Sequence, residues 1–251
     1  MIQLKSAEEI RIMDKANAIV HKVLDALEAA VAPGVVLGDL DRMAHSLTLS
    51  AGAKPAFKGY HGYPASVCIS VNDEVVHGIP GSRALKQGDL VSLDFGVVYE
   101  GFYGDAAKTC VVGPADEKAR LLLDVTRESL MKGIQQVRPG NRVSDISHAV
   151  QEWVESHGFS VVRDYVGHGI GRALHEDPQI PNFGERGHGP RLQPGMVLAI
   201  EPMVNEGGFE VTVDDDGWTV RTKDGLRSAH FEYSVAVTSS EPVILGVGGA
   251  A

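Results

Sequence analysis

The chain contains two versions of one pattern. Val31-Ala32-Pro33-Gly34, Asp39-Leu40, a helical stretch and Gly52 return as Val137-Arg138-Pro139-Gly140, Asp145-Ile146, a helical stretch and Gly158, each position shifted by 106. Farther on, Leu85 to Gly88, then Leu90-Val91 and Asp94, return as Leu192 to Gly195, then Val197-Leu198 and Glu201, now shifted by 107. Chance among common turn residues would not keep that spacing through so many features. The period is too long for a solenoid of 20–50-residue units, so two copies imply a duplicated half. Each half then reads helix, Pro-Gly turn, helix, strands, and a strand carrying an acid at a matching place. Halves related in this way pack about a pseudo-two-fold axis, which would bring Asp94 and Glu201 towards a common centre. The halves are expected to run over about 1–112 and 113–251 of a single domain spanning residues 1–251.

The acid of the first half lies in LVSLDFGVVYEGFYGDAAKTCVV, residues 90–112. Two β-runs flank Glu100-Gly101, a pair suited to a two-residue hairpin turn. With those as turn residues, Tyr99 pairs with Phe102 and Gly96 with Asp105. Asp94 shares a face with Gly96 and lies diagonal to Asp105, about 7 Å away between Cβ atoms. Two carboxylates converging on a half-buried ribbon repel unless a cation or a shared proton lies between them. The second half adds Glu201 in VLAIEPM and Glu232 in SAHFEYSVAV, also in apolar strand-like surroundings. Lone acids there would be ion-paired, yet none of the four strands carries an obvious basic partner beside its acid. Four such acids suit a pair of divalent metal ions.

Gly167-His168-Gly169-Ile170-Gly171 presents a glycine-flanked imidazole in what reads as a loop, with His175 seven residues later. Carboxylates with one imidazole suit Mn, Fe, Co or Zn in a catalytic site rather than a structural zinc. A histidine there is equally consistent with holding the loop by hydrogen bonds, and His61, His77 and His188 also adjoin glycines. Cys68 reads as a small strand hydrophobe. Tyr60, Tyr63 and Trp218 are consistent with packing or with the wall of an apolar pocket. There is no G-x-S-x-G elbow and no P-loop. The GxGxG at 167–171 is not a dinucleotide fingerprint, because a proline-rich loop rather than a helix follows it. Two neighbouring metals make hydrolysis the reaction class, with peptidases, phosphatases and nucleases all open on residues alone.

The remaining elements follow from periodicity and punctuation. Ser6-Ala7-Glu8-Glu9 is a capping box opening a helix that stops at Pro33-Gly34. Asp39 and Asp145 read as N-caps of second helices, and Asp116 to Val137 is helical. Strands are expected at 66–71, 196–205, 209–213, 218–222 and 229–238. A net charge of -10 argues against nucleic-acid specificity and anionic membranes. Two cysteines and no apolar leader or spanning run point to a reducing, cytoplasmic setting.

HGYPASVCISVNDEVVHGIP, LDFGVVYEGFYGDAAKT, VGHGIGRALHEDP, LAIEPMVN and SAHFEYSVAVT, in that order, resemble the type I methionine aminopeptidases of bacteria across essentially the whole chain. The resemblance implies the pita-bread α/β (α+β) fold, with antiparallel sheet, flanking helices and duplicated halves. It implies two divalent ions held by Asp94, Asp105, His168, Glu201 and Glu232, with Asp105 and Glu232 bridging. His168 and Glu201 would serve one ion and Asp94 the other. His77 and His175 would meet the substrate near the scissile amide, Glu201 would move the proton, and Tyr60, Tyr63, Cys68, His77 and Trp218 would enclose the methionine side chain. Implied partners are N-terminal methionine peptides and nascent chains, with ribosome association a further expectation and a monomer the expected state. The expected function is removal of the N-terminal methionine ahead of a small second residue.

Two positions depart from the family pattern. Leu174 stands where an aromatic is expected and Phe57 where a cysteine is common, and both bear on substrate preference rather than on the ligands. The rival readings are a proline-directed pita-bread aminopeptidase and a non-catalytic pita-bread binding protein. The first normally has a large extra N-terminal domain, and the second loses metal ligands.

Overall fold

The computed structural model describes residues 1–248. The chain runs through α1 (Ala7–Ala30), α2 (Leu37–Ser50), β1 (Lys54–Pro55), β2 (Cys68–Val71), β3 (Glu74–Val76), β4 (Leu90–Tyr99) and β5 (Phe102–Val111). It continues through α3 (Glu117–Ile134), α4 (Val143–Ser156), β6 (Ser160–Val161), β7 (Gly167–Gly169), β8 (Glu176–Ile180), β9 (Val197–Ile200) and β10 (Met203–Asn205). The last strands are β11 (Val211–Val213), β12 (Val220–Thr222), β13 (Ser228–His230), β14 (Glu232–Ala236) and β15 (Val243–Ile244).

The main antiparallel sheet has the order β1-β4-β5-β14-β9-β7-β8, with β2 also on β4 and β15 on β14. Helix α1 packs on β4 and β5 and against α2, while α3 packs on α4 and β9 and α4 on β8. The first pair buries Val20, Leu24, Leu27 and Leu40 over Leu93 and Phe95, and the second buries Leu130, Ile134 and Ile146 over Leu198 and Ile200. Two small sheets, β13-β10-β6 and β11-β12-β3, complete the body.

The internal repeat extends to single hydrogen bonds. Gly34 N–H donates to Leu85 O and Gly140 N–H to Leu192 O; Leu37 donates to Arg83 O and Val143 to Pro190 O. Isolated bridges pair Val36 with Ala84 and Arg142 with Arg191. Helices α2 and α4 start and stop at positions 106 apart. The same loop closure therefore positions both halves' second helix and first long strand.

The hairpin register is the one expected: Tyr99 opposes Phe102 and Gly96 opposes Asp105. Glu100 (φ 48) and Gly101 (φ +81) take the left-handed conformations of that tight turn. Other expectations need correction. Asp39 and Asp145 do not cap their helices; α2 and α4 begin two residues earlier, after Val36 and Arg142. Each Asp instead lies in the first turn, where the helix dipole favours an acid, and Asp145 Oδ2 accepts from Arg142 N at 2.7 Å. Asp116 is an N-cap, accepting from Ala119 N, and its helix ends at Ile134 rather than Val137.

Residues 196–205 are not one strand. The chain breaks at Glu201-Pro202, and β9 and β10 join different sheets. Residues 229–238 break at Phe231 in the same way, into β13 and β14. A proline cannot donate to a ladder, which accounts for the first break.

Candidate metal centre

The acids come together because adjacent strands place them in register. Cys68, Asp94, Ala107 and Glu232 form one row across β2, β4, β5 and β14. The small Ala107 leaves open space between Asp94 and Glu232. A second row runs from His168 through Ala199 to Ser234 across β7, β9 and β14. Glu201 follows the end of β9, and Glu232 is the first residue of β14. Both second-half acids thus sit where a strand leaves one sheet for another.

His168 is not on a loop, as its glycine flanks suggested, but on the short strand β7 between β8 and β9. Its glycines serve close approach: a Cβ on Gly167 would lie 2.5 Å from Ala199 O, and one on Gly169 2.2 Å from Asp177 O. The imidazole Nδ1 is 3.0 Å from Gly169 O. A carbonyl only accepts, so Nδ1 carries the proton and the Nε2 lone pair is available to a cation.

One oxygen each from Asp105 and Glu232 and one His168 nitrogen all lie within 4.8 Å of one another. Asp105 Oδ1 and Glu232 Oε1 are buried and have no hydrogen-bond partner among the described residues. Glu201 Oε1 is 3.5 Å from His168 Nε2. Burial raises the carboxyls of Asp105 and Glu232 well above the usual carboxylate range, with the neighbouring acids adding to it. Asp94 is pushed up by burial and by Glu201, and Glu201 by burial. Burial lowers His168 to about 3, helped by His175, so the imidazole is neutral. Lys108, the base nearest these acids on β5, instead pairs with Asp25 and Glu28 of α1, at 2.7 Å each. Unpartnered buried carboxylates and a neutral imidazole are a donor set for divalent cations of the Mn, Fe, Co or Zn kind.

A cleft of about 160 Å³ opens over these groups. Asp94, Asp105, His168, Glu201 and Glu232 line it with Tyr60, Tyr63, Cys68, His77, His175 and Trp218, and with Phe57 and Leu174. Tyr63 OH donates to Gly78 O at 2.8 Å, fixing the turn beside His77, and its ring meets Trp218 edge-on at 5.1 Å. Burial holds His77 down to about 4, with His230 and His175 contributing. The Tyr60 hydroxyl lies 2.7 Å from His175 Nδ1. His61 is exposed and His188 lies far from the cleft, paired with Glu185 at 4.0 Å.

Sequence spacing passed over His230. Its ring is buried, and Nε2 lies 3.6 Å from Glu201 Oε2 with no hydrogen-bond partner. The only signal was its place two residues before Glu232 in SAHFEYSV; strand alternation does not relate the two, because the chain changes sheets at Phe231 between them. Asn17 was missed as well: from α1 its Oδ1 accepts from Asp105 N at 3.2 Å.

The model of metallopeptidase family M24 matches residues 11–239. The methionine aminopeptidase of Clostridium perfringens is 54% identical over 245 residues, covering 98% of each chain. Methionine aminopeptidase 1 of Bacillus subtilis is 51% identical over 240 residues, covering 96% of this chain and 97% of its own. The crystal structure of methionine aminopeptidase from Thermotoga maritima superposes with a TM-score of 0.96 at 50% identity, over 98% of this chain and 99% of that one. The architecture is the pita-bread fold, and the chain belongs to metallopeptidase family M24 and, within it, to the methionine aminopeptidases.

Proposed function

We propose that this chain removes the N-terminal methionine from newly made polypeptides with a small second residue, using two divalent cations held by Asp94, Asp105, His168, Glu201 and Glu232. The observation that carries the reading is the pair of unpartnered buried oxygens, Asp105 Oδ1 and Glu232 Oε1, beside a neutral His168. Cations bound there supply Lewis acidity, lowering the pKa of water and polarising a carbonyl oxygen. Asp105 and Glu232 would be shared between the two ions, with His168 and Glu201 holding one and Asp94 the other. The family resemblance supports that division.

Glu201 is the group that accepts the proton of the attacking water and returns it to the leaving amine. Its place on the cleft wall, with Oε1 3.5 Å from His168 Nε2, supports that role. His175 donates from Nε2 towards the scissile carbonyl in the tautomer whose Nδ1 accepts from the Tyr60 hydroxyl, 2.7 Å away. His77, kept neutral by burial, acts as a hydrogen-bonding group at the scissile amide and not as a cation. The methionine thioether lies against Tyr60, Tyr63, Cys68, His77 and Trp218, a polarisable wall suited to sulfur. Leu174 and Phe57, both nearly buried at the cleft, crowd the space around it and favour a small second residue. An acidic chain whose two cysteines are both free suits a reducing cytoplasm, where nascent chains are the substrate.

The test uses protein stripped with chelator and reloaded with Mn, Co, Fe or Zn. Methionine should be released from Met-Ala-Ser and far more slowly from Met-Leu-Ser, with about two ions bound per chain. No release with any of these metals, or cleavage only before proline, would overturn the reading.

A further inference from the structure

His230 belongs to neither the expected ligands nor the substrate groups, yet it reaches the same centre. Its backbone is pinned on both sides by one hydroxyl: His230 N–H donates to Thr109 Oγ1 at 2.8 Å, and that hydroxyl donates to His230 O at 2.8 Å. The Thr109 proton being committed, Ser92 Oγ at 2.8 Å must be the donor in their contact. The imidazole is therefore held by the β4-β5 hairpin on one side and by β10, where His230 opposes Met203, on the other.

Glu201 lies between two imidazoles. Its Oε1 is 3.5 Å from His168 Nε2, and its Oε2 is 3.6 Å from His230 Nε2. The two rings are not equivalent. His168 joins Asp105 and Glu232 in the group whose donor atoms all converge within 4.8 Å, and His230 does not. Its Nε2 is a buried polar atom with no partner, and such an atom costs about 1–3 kcal/mol unless something satisfies it. Glu201 Oε2 is the acceptor it faces.

We infer that His230 is a positioning residue, donating from Nε2 to Glu201 Oε2 and so fixing which Glu201 oxygen is offered to the cation beside His168. The inference rests on the proposed metal centre and adds to it a sixth side chain that binds no ion. A carboxylate free to rotate divides its time between orientations. One tethered through its outer oxygen presents the other in a single direction, which strengthens both cation binding and proton transfer.

The experiment compares His230→Leu, which keeps bulk and removes the donor, with His230→Gln, which restores an N–H at similar reach. Cation affinity is measured by chelator competition, the absorption spectrum of the Co(II)-loaded protein reports its ligands, and thermal melts in chelator check folding. Wild type must bind cation and release methionine; if it does neither, the proposed function falls and this inference with it. Given an active wild type, His230→Leu should weaken one cation by about 10–100-fold and lower kcat more than it raises KM, the usual scale for groups that orient a ligand. His230→Gln should recover most of both, with the Co(II) spectrum of wild type. If both variants lose the ion and its spectrum, His230 is itself a ligand and the positioning role is wrong. If His230→Leu binds and turns over like wild type, His230 is only packing, and the inference fails while the proposed function stands.

Discussion

Replacing Asp94 by asparagine should make the metal-free protein more stable at pH 8 while removing a proposed cation ligand. Burial and Glu201 lift the folded-state carboxyl of Asp94 from 3.8 to about 7. Each unit of that shift disfavours the ionised form by about 1.4 kcal/mol, so at pH 8 the aspartate costs the fold on the order of 4 kcal/mol. Because the folded value lies above the unfolded one, the cost is absent below the unfolded value, grows with pH, and is complete once pH exceeds the folded value. Asparagine removes the charge but leaves an amide short of partners, a loss of about 1–3 kcal/mol. The net gain at pH 8 is about 1–3 kcal/mol, or roughly 2–12 °C in melting temperature for a chain of this size. At pH 5 the electrostatic part shrinks by about 3 kcal/mol, and the advantage should vanish or reverse. Asp94 and His230 act on each other, so loss of that attraction at low pH further reduces the variant's advantage, whereas the contributions of the other buried histidines are common to both proteins. Thermal melts of both proteins in chelator, at pH 5 and pH 8, measure this directly. Added cation should then stabilise the wild type by about 2.7 kcal/mol at a hundredfold excess over Kd, raising its melting temperature, and stabilise the variant far less. A variant less stable than wild type at pH 8, or a difference that ignores pH, would refute the account of these acids as strained in the metal-free state.

Gly104→Ala should destabilise by about 1–3 kcal/mol in urea titration, because its Cβ would lie 2.8 Å from Ala16 C and 2.9 Å from Asn17 N, and a helix backbone cannot yield as a side chain can. Lys5→Ala should cost about 3–5 kcal/mol in the same assay, since it leaves Glu176 buried and uncompensated; kcat should also fall, because Glu176 Oε1 holds the Arg172 and Ala173 amides of the turn that carries His175. Trp218→Ala should raise KM for methionyl peptides about fivefold, the loss of roughly 1 kcal/mol of aromatic contact with the thioether, while cation stoichiometry measured by metal analysis stays unchanged.

What the sequence disclosed was what local rules determine. The hairpin register followed from a two-residue turn and strand alternation, and with it the convergence of Asp94 on Asp105. The repeat disclosed the second half because both copies close the same turn with the same hydrogen bonds. The strand break at Glu201-Pro202 was marked by the proline but overridden by the apolar residues on either side, and the break at Phe231 was not legible, since apolar residues continue through it and only the exchange of sheets separates the two strands. Nor was the strand at Gly167–Gly169, where two glycines give no strand preference and tertiary pairing with β8 and β9 decides the conformation. His230 was hidden for a related reason: its neighbour in space, Glu201, lies across one of those breaks.

Support for the centre follows one rule. Asn17 and Ser234 hold Asp105 through its main-chain N–H and C=O, at 3.2 and 2.9 Å. Asn182 holds Glu201 through its carbonyl at 3.0 Å, and Thr109 holds His230 through both main-chain groups. Each contact fixes where a functional side chain starts and leaves its tip untouched, so Asp105 Oδ1 and Glu232 Oε1 remain buried and without a partner among the described residues. Optimisation for stability alone would turn those polar side chains onto the tips and satisfy them. A fold that spends its asparagine and hydroxyl groups on the backbone behind the acids keeps their lone pairs free, and the stability forgone is returned only when cations occupy the space between them.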